Sequence, residues 1–549
     1  MGATNQLYQD YLAELAALER FRQGFRQTYP GVPLEQEDPD VRRLVEAMAF
    51  FSVQTRHATL RNLRSTWLRL FSSFFNCLLE PLPAAGLVQA VPTEKMVETA
   101  VLPRGTELSL QPVGGGEAGS FRLQRDLRVL PIFLEDTQVL RLADGGHRLI
   151  LRFAAAFPRR DPVEVLSLHV RHLEEYGSSL AVHHALRKHL ERVSVVYDAR
   201  ADERSTGLRC EHSFGQEPFA PDDASVYENP LHRARSFFQL PEQGLFLHVR
   251  VAPTRQAWSR FSLCLDLKKE WTVGRSLHPE FLQPFVAPVV NLKAAPAQPI
   301  TLDGTRTEHP LLGLRNSREL RLHSVTGVYL QGPRGREPMR PAHVPGPGPS
   351  YELDEQLAVD GSPLHQLLVR MPEAFLEPRK LHVDALWYQP RFASEATGRL
   401  EVSTPSVHVE GLRWRVVGDV QPPRDSPVRE DVTALIQLLS WKNRPTLERD
   451  ELVALLSYLG TPMEGSFRPI IPLLRTLRVS VLPDGALRGT GLRHVYEAQL
   501  APFDPSQESL VACLLEQVHA LLDAWNGEAS VELRASMAGA GPFNPWGTP

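Results

Sequence analysis

Five histidines crowd the stretch "HVRHLEEYGSSLAVHHALRKHLERV": His169, His172, His183, His184 and His189. Imidazole is a common metal ligand, and a zinc site needs such ligands to converge on one point with carboxylates or carbonyls behind them. The spacing does not deliver that. His169 and His172 straddle a strand-to-helix boundary, while His184 and His189 stand five apart, which does not place them on one helical face. A solvated, positively biased helix surface is the expectation here, with a zinc hydrolase as the remote enzymatic alternative. The carboxylate pairs Asp222–Asp223 and Glu174–Glu175 are adjacent in sequence, so their side chains diverge rather than flank a glycosidic bond.

Other chemistry is equally thin. No GxxxxGK[ST] phosphate cradle, no GxGxxG between a strand and a helix, no GxSxG elbow and no HExxH occurs. "RGTGLRHV" (488–495) reads as a turn leading into a strand. No catalytic, metal-binding or cofactor-binding residue is expected, and no cofactor. Cys77, Cys210, Cys264 and Cys513 are scattered without CxxC spacing, so reduced, buried thiols are the plain reading.

The bulk properties narrow the class. At 549 residues the chain exceeds the ~250–300 residues that one hydrophobic core serves. With 42% hydrophobic and 23% charged residues it is globular, and a net charge of −4 offers no general attraction to nucleic acid. The start lacks a basic n-region and an apolar h-region, and Gln6 follows Gly2 where a myristoylation signal wants Ser or Thr. No run of ~18 apolar residues is present. A cytoplasmic protein without direct membrane insertion is expected.

The elements follow from periodicity. Leu7, Tyr11, Leu15, Leu18, Phe21 and Phe25 mark an amphipathic helix that "TYPGVP" ends. Asp38 reads as an N-cap with Pro39 in the first turn. From there Val41, Leu44, Val45, Met48, Phe51, Leu60, Leu63, Trp67, Leu70 and Phe74 keep helical spacing to about Leu79. Beyond Pro83, short alternating segments separated by Gly and Pro read as strands, interrupted by one helix from His172 to about Val193. Helices return after "DVQPPRDSP", and the last one closes near Asn526–Gly527. The expected fold is α+β and multidomain: an N-terminal helical region (1–83), β-rich sandwich- or barrel-like central parts (84–330 and 351–420) around a Pro/Gly-rich loop (331–350), and a mixed α/β C-terminal region (421–549).

Motif order carries a resemblance. "YQDYLAELAALERFRQGFRQTYP" followed by "DPDVRRLVEAMAFFSVQTRHATL" resembles the N-terminus of the TssF family, baseplate wedge subunits of the bacterial type VI secretion system. Asp38, Pro39, Val41, Arg43, Leu44, Glu46, Ala49 and Phe50 stand in the family's order; Arg42 replaces a usual Glu and Met48 a common Phe. "LPRGTEL", with Pro103, Arg104, Gly105 and Thr106, resembles the family's "IPRGTxL". "FVAPVVNLKAAPAQPI" keeps Pro288, Asn291 and Leu292, and "SFFQLPEQGLFL" keeps Phe238, Pro241, Glu242 and Phe246. Near the end Arg488 and Gly489 resemble an "RGxxV" strand.

The resemblance implies a structural, non-enzymatic subunit. It implies two TssF copies embracing one TssG through a shared helical bundle, with TssK and TssE bound to that wedge. Wedges around the VgrG hub then support the tube and sheath, docked at the inner membrane of a Gram-negative cell through the membrane complex. The long N-terminal helices are expected to join an intersubunit bundle, because they are apolar on more than one face. Val41, Leu44, Met48, Phe50, Phe51, Leu63, Trp67, Leu70 and Phe74 are the expected contacts, with Arg42, Arg43, Arg56, Arg61, Arg64 and Arg69 along the rims. A wedge protein of a contractile phage tail or extracellular injection system, and a β-rich carbohydrate- or peptide-binding protein, are the alternatives.

Overall fold

The computed structural model describes residues 2–29, 39–219, 229–271, 277–278, 280–314, 320–332, 335–357, 363–372, 377–395, 398–429, 431–442, 444–460, 465–483, 491–526, 529–537 and 541–543. Asp38, Asp222–Asp223, Arg488 and Gly489 lie outside them, as do the side chains of Arg61, Arg64 and Arg69.

Two helices open the chain, α1 (Gly2–Thr28) and α2 (Pro39–Leu79), the latter 41 residues long. They form an antiparallel hairpin, joined by His57 Nε2 to Asp10 Oδ2 at 2.8 Å and by Ser52 Oγ donating to Glu14 Oε1 at 2.9 Å. Ala49 and Val53, one turn apart, are buried at this seam. Helical geometry breaks once in α2, at Phe75 (φ −130°, ψ 39°). Pro81, which has no amide proton to continue the ladder, soon follows.

The β-rich middle is built from strands far apart in sequence. In a six-stranded sheet, Ala85–Pro92 lies between Val286–Val290 and Leu412–Gln421, with Leu87 opposite both Pro288 and Val417. An eight-stranded sheet runs from Leu282–Pro284 at one edge to Ile132–Arg141 at the other. Helix α3 (Tyr176–His189) packs beside it and ends sooner than expected. From Leu190 the β-branched residues Val193, Val195 and Val196 pair with Trp258–Leu267 as a strand. Strand-like texture also hid a helix, α4 (Pro230–Gln239), whose Asn229 caps the Leu231 amide at 2.9 Å.

Residues 293–388 carry a second, separate core around Leu367, Leu381, Val383 and Trp387. Within the proline-glycine stretch 331–350, Gly335–Pro338 pairs with Arg321–Gly332, and Arg340–Pro341 pairs with Ser350–Leu357. The short α5 (Phe392–Glu395) leads back to the first body. At the C-terminus α6 (Val432–Trp441) and α7 (Arg449–Tyr458) precede a four-stranded sheet. In that sheet Leu492–Leu500 runs parallel to Ser530–Met537, with α8 (Glu508–Asn526) crossing between them. Parallel neighbours need such a crossover. Helix α8 buries Leu514, Leu515, Val518, Leu521 and Leu522 in the same continuous core that holds Phe71, Phe75 and Leu78 of α2.

Candidate partner interface

The five histidines are placed by the fold rather than gathered on one point. Among the described residues no group of three His, Cys, Asp or Glu side chains could hold a metal ion. The expectation of a solvated histidine surface is also wrong, because His169, His172, His183 and His184 are buried. His169 Nε2 lies 3.1 Å from the Glu242 carbonyl and His183 Nε2 3.3 Å from that of Phe246. The neighbouring His248 sits between Ser167 Oγ (2.8 Å) and the Gly215 carbonyl (3.0 Å). Burial pulls His169 down to about 3 and His183 and His248 to about 4. All three are therefore neutral imidazoles spent on the fold. All four cysteines are free and buried.

The family-motif positions are likewise committed internally. Gly105, at φ +86°, turns the chain between two strands; its amide donates to the Leu123 carbonyl at 2.8 Å, and its own carbonyl accepts from Arg122 Nε at 3.0 Å. Thr106 Oγ1 donates to the Pro103 carbonyl at 2.7 Å, and Asp126 accepts from the Arg104 amide at 2.6 Å. Pro288 occupies a central strand, where its carbonyl accepts from the Gln124 amide at 2.9 Å. Asn291, buried, donates to the Ser120 carbonyl and to Gln389 Oε1, both at 3.1 Å, and accepts from the Gln389 amide at 2.7 Å. This amide clamp ties the first sheet to the end of the 293–388 unit. Leu292, half-buried, follows it.

What stays unsatisfied is the arm. Leu44, Met48 and Phe51 recur at helical spacing on the face of α2 opposite its seam with α1, and they are 62%, 54% and 67% exposed. Phe50, on the flank, is 49% exposed, and nearer the body Leu60, Leu63 and Leu70 are exposed too. Helix α1 adds exposed Tyr8 and Phe21, and Tyr29 just after it is exposed too. Val41 and Trp67 are half-buried. Phe74 is partly covered by the Lys442 ammonium, 3.0 Å above its ring. Arg42 pairs with Glu46 at 2.9 Å, Arg43 approaches Asp40 at 3.5 Å, and Arg56 is exposed. Soluble surfaces rarely leave so many large apolar side chains uncovered along one element.

At its other end α2 is anchored by residues that periodicity did not single out. Its last carbonyls have no helical partners of their own. Arg235, on α4 and buried, donates Nη1 to the carbonyls of Cys77 (2.8 Å) and Glu80, and Nη2 to that of Asp425 (3.2 Å). Ser426 Oγ donates to the Leu78 carbonyl at 2.7 Å; Arg429 Nη2 donates to the Leu79 carbonyl and to Glu355 Oε2, both at 2.9 Å. Desolvation holds the Arg235 guanidinium at about 10, so it is charged at neutral pH and complements the negative end of the helix. Phe75 stacks on Trp525 of α8, ring centroids 6.0 Å apart. The sequence signal for this socket is only an arginine inside an apolar helix run, "RARSFF".

A β-rich body whose motif residues are spent on its own fold, carrying a long apolar arm socketed at one end, is built as a subunit of an assembly. The family described as "Type VI secretion system, TssF" matches residues 3–354, and this chain belongs to it. A chain of the type VI secretion system TssK-TssF-TssG baseplate subcomplex, determined by cryo-electron microscopy, has the same fold. Its TM-score is 0.74 at 18% identity, covering 93% of this chain and 99% of that one. A chain of the type VI secretion baseplate complex matches with a TM-score of 0.60 at 16% identity over 99% of both chains. No curated protein matches.

Proposed function

We propose that this chain is a structural, non-catalytic subunit of the type VI secretion baseplate, and that its arm is the element that joins it to TssG. Family membership supports the setting. The observation that carries the reading is the apolar face of Leu44, Met48, Phe50 and Phe51, left bare by α1. Fully covering a large apolar side chain is worth ~1.5–3 kcal/mol, so covering these four half- to two-thirds-exposed ones favours helix–helix assembly by several kcal/mol before the cost of association. In this reading a second copy contributes its own arm to one bundle with TssG. TssK and TssE bind the resulting wedge, and wedges surround the VgrG hub beneath the sheath. The assembly works in the cytoplasm and reaches the inner membrane through the membrane complex. No helix of the described residues is long and apolar enough to cross a membrane, in keeping with that placement.

Co-purification tests it. The tagged chain, co-expressed with its operon, should retain TssG; Phe50→Glu with Leu70→Glu should lose it while the melting of the β-rich body stays unchanged. A double variant that still brings down TssG in wild-type amount refutes the role of the arm.

A further inference from the structure

The C-terminal sheet ends on Leu474–Pro483, which pairs with Leu492–Leu500 along one side only; among the described residues no strand pairs with its outer edge. Helix α7 reaches only its start, where Arg449 Nε donates to the Leu474 carbonyl at 3.1 Å. Open edges are ordinarily guarded by lysines, prolines or bulges. Here one irregularity sits at the start, between Leu474 and Thr476, and a proline only at the end; from Thr476 to Pro483 the register is unbroken, and Val481, whose side chain belongs to the inner face, is 52% exposed.

Both faces state what would fit beside it. On the inner face the cross-strand rows are Val479–Tyr496–Leu533, packed on the core under α8, and Val481–His494–Val531, in which His494 is buried and Val481 stands exposed at the edge. On the solvent face the row is Arg478–Glu497–Arg534, alternating in sign across three strands and ending on a cation at the open edge. Opposite charges directly across a sheet stabilise it and like charges do not. We propose that this edge receives an extended segment of another protein as an added strand. That segment places apolar residues beside Val479 and Val481 and an acidic residue beside Arg478. A second copy of this chain is the poorer occupant, since self-pairing gathers Arg475 and Arg478 of both copies on one edge. The arm is not involved, so this inference stands apart from the TssG reading.

The probe is a synthetic peptide of alternating valine and glutamate, about eight residues long to match the free edge, with a valine–lysine peptide as control. Binding to the full chain is read by fluorescence anisotropy, and protection of amides 476–482 by hydrogen exchange. The valine–glutamate peptide should bind and slow exchange there. Arg478→Glu should reverse the preference between the two peptides, a swing of about fivefold or more, and Val481→Lys should weaken both. Binding that is absent, or indifferent to peptide charge in both wild type and Arg478→Glu, overturns the proposal. So does a concentration-dependent dimer of the chain alone that Val481→Lys abolishes.

Discussion

Replacing Arg235 with methionine tests how the arm is held. The side chain is buried, and methionine fills a similar volume without donors. Its loss strips the carbonyls of Cys77 and Glu80, at the end of α2, and of Asp425. A buried acceptor left without a partner costs ~1–3 kcal/mol. Three such losses set a ceiling near 9 kcal/mol. Relief from burying a guanidinium offsets part of this, since desolvation already holds Arg235 down at about 10. The Ser426 and Arg429 bonds to Leu78 and Leu79 survive. The net expectation is a loss of ~2–4 kcal/mol concentrated at the base of the arm. Hydrogen exchange should show amides 75–80 and 82 opening faster, by a hundredfold or so, with the strands of residues 147–159 and 258–267 unaffected. Arg233→Met, exposed on the same helix, is the control and should change stability by less than ~0.5 kcal/mol. If both variants exchange alike, side-chain capping of those carbonyls is not what anchors α2.

Two further outcomes follow from the buried polar groups. His169, His183 and His248 are held neutral in the fold well below 6.5, so the unfolded chain takes up protons first as pH falls. Stability should be full above pH 6.5 and drop by ~1.4 kcal/mol per pH unit per histidine between 6.5 and 5, above the carboxylate range; a urea midpoint flat across that window contradicts this. Asn291→Ala should cost ~2–3 kcal/mol by orphaning the Gln389 amide and the Ser120 carbonyl. Faster exchange at Gln389 checks it, and unchanged exchange there would show that the clamp does not join the two units.

The helices were legible where one stripe dominates. Leu7 to Phe25, Val41 to Phe74 and Leu510 to Trp525 repeat at three and four residues, and α1, α2 and α8 lie there. Helix α4 was not legible. Its strongest residue for the fold, Arg235, is explained only by carbonyls some 155 residues earlier and 190 residues later in the chain, and no local pattern carries that. The histidines misled for a related reason: spacing tells which side chains share a face, but not whether a sheet covers that face. His183 looks surface-bound until Phe246, Phe214 and α8 close over its helix. The arm's exposed face was readable as surplus apolar surface, whereas its socket, assembled from α4 and residues 425–429, was a product of tertiary contact alone.

The break at Phe75 has a mechanical consequence. From Pro39 to Phe74 the helix is a rod ~54 Å long at 1.5 Å per residue, and its regular ladder is interrupted where it joins the body. A tilt of about 10° at that break sweeps the far tip through ~9 Å by the same geometry. The ring at that break rests on Trp525 of the last helix, so a rotation of that size there would displace the tip by about the width of a neighbouring helix.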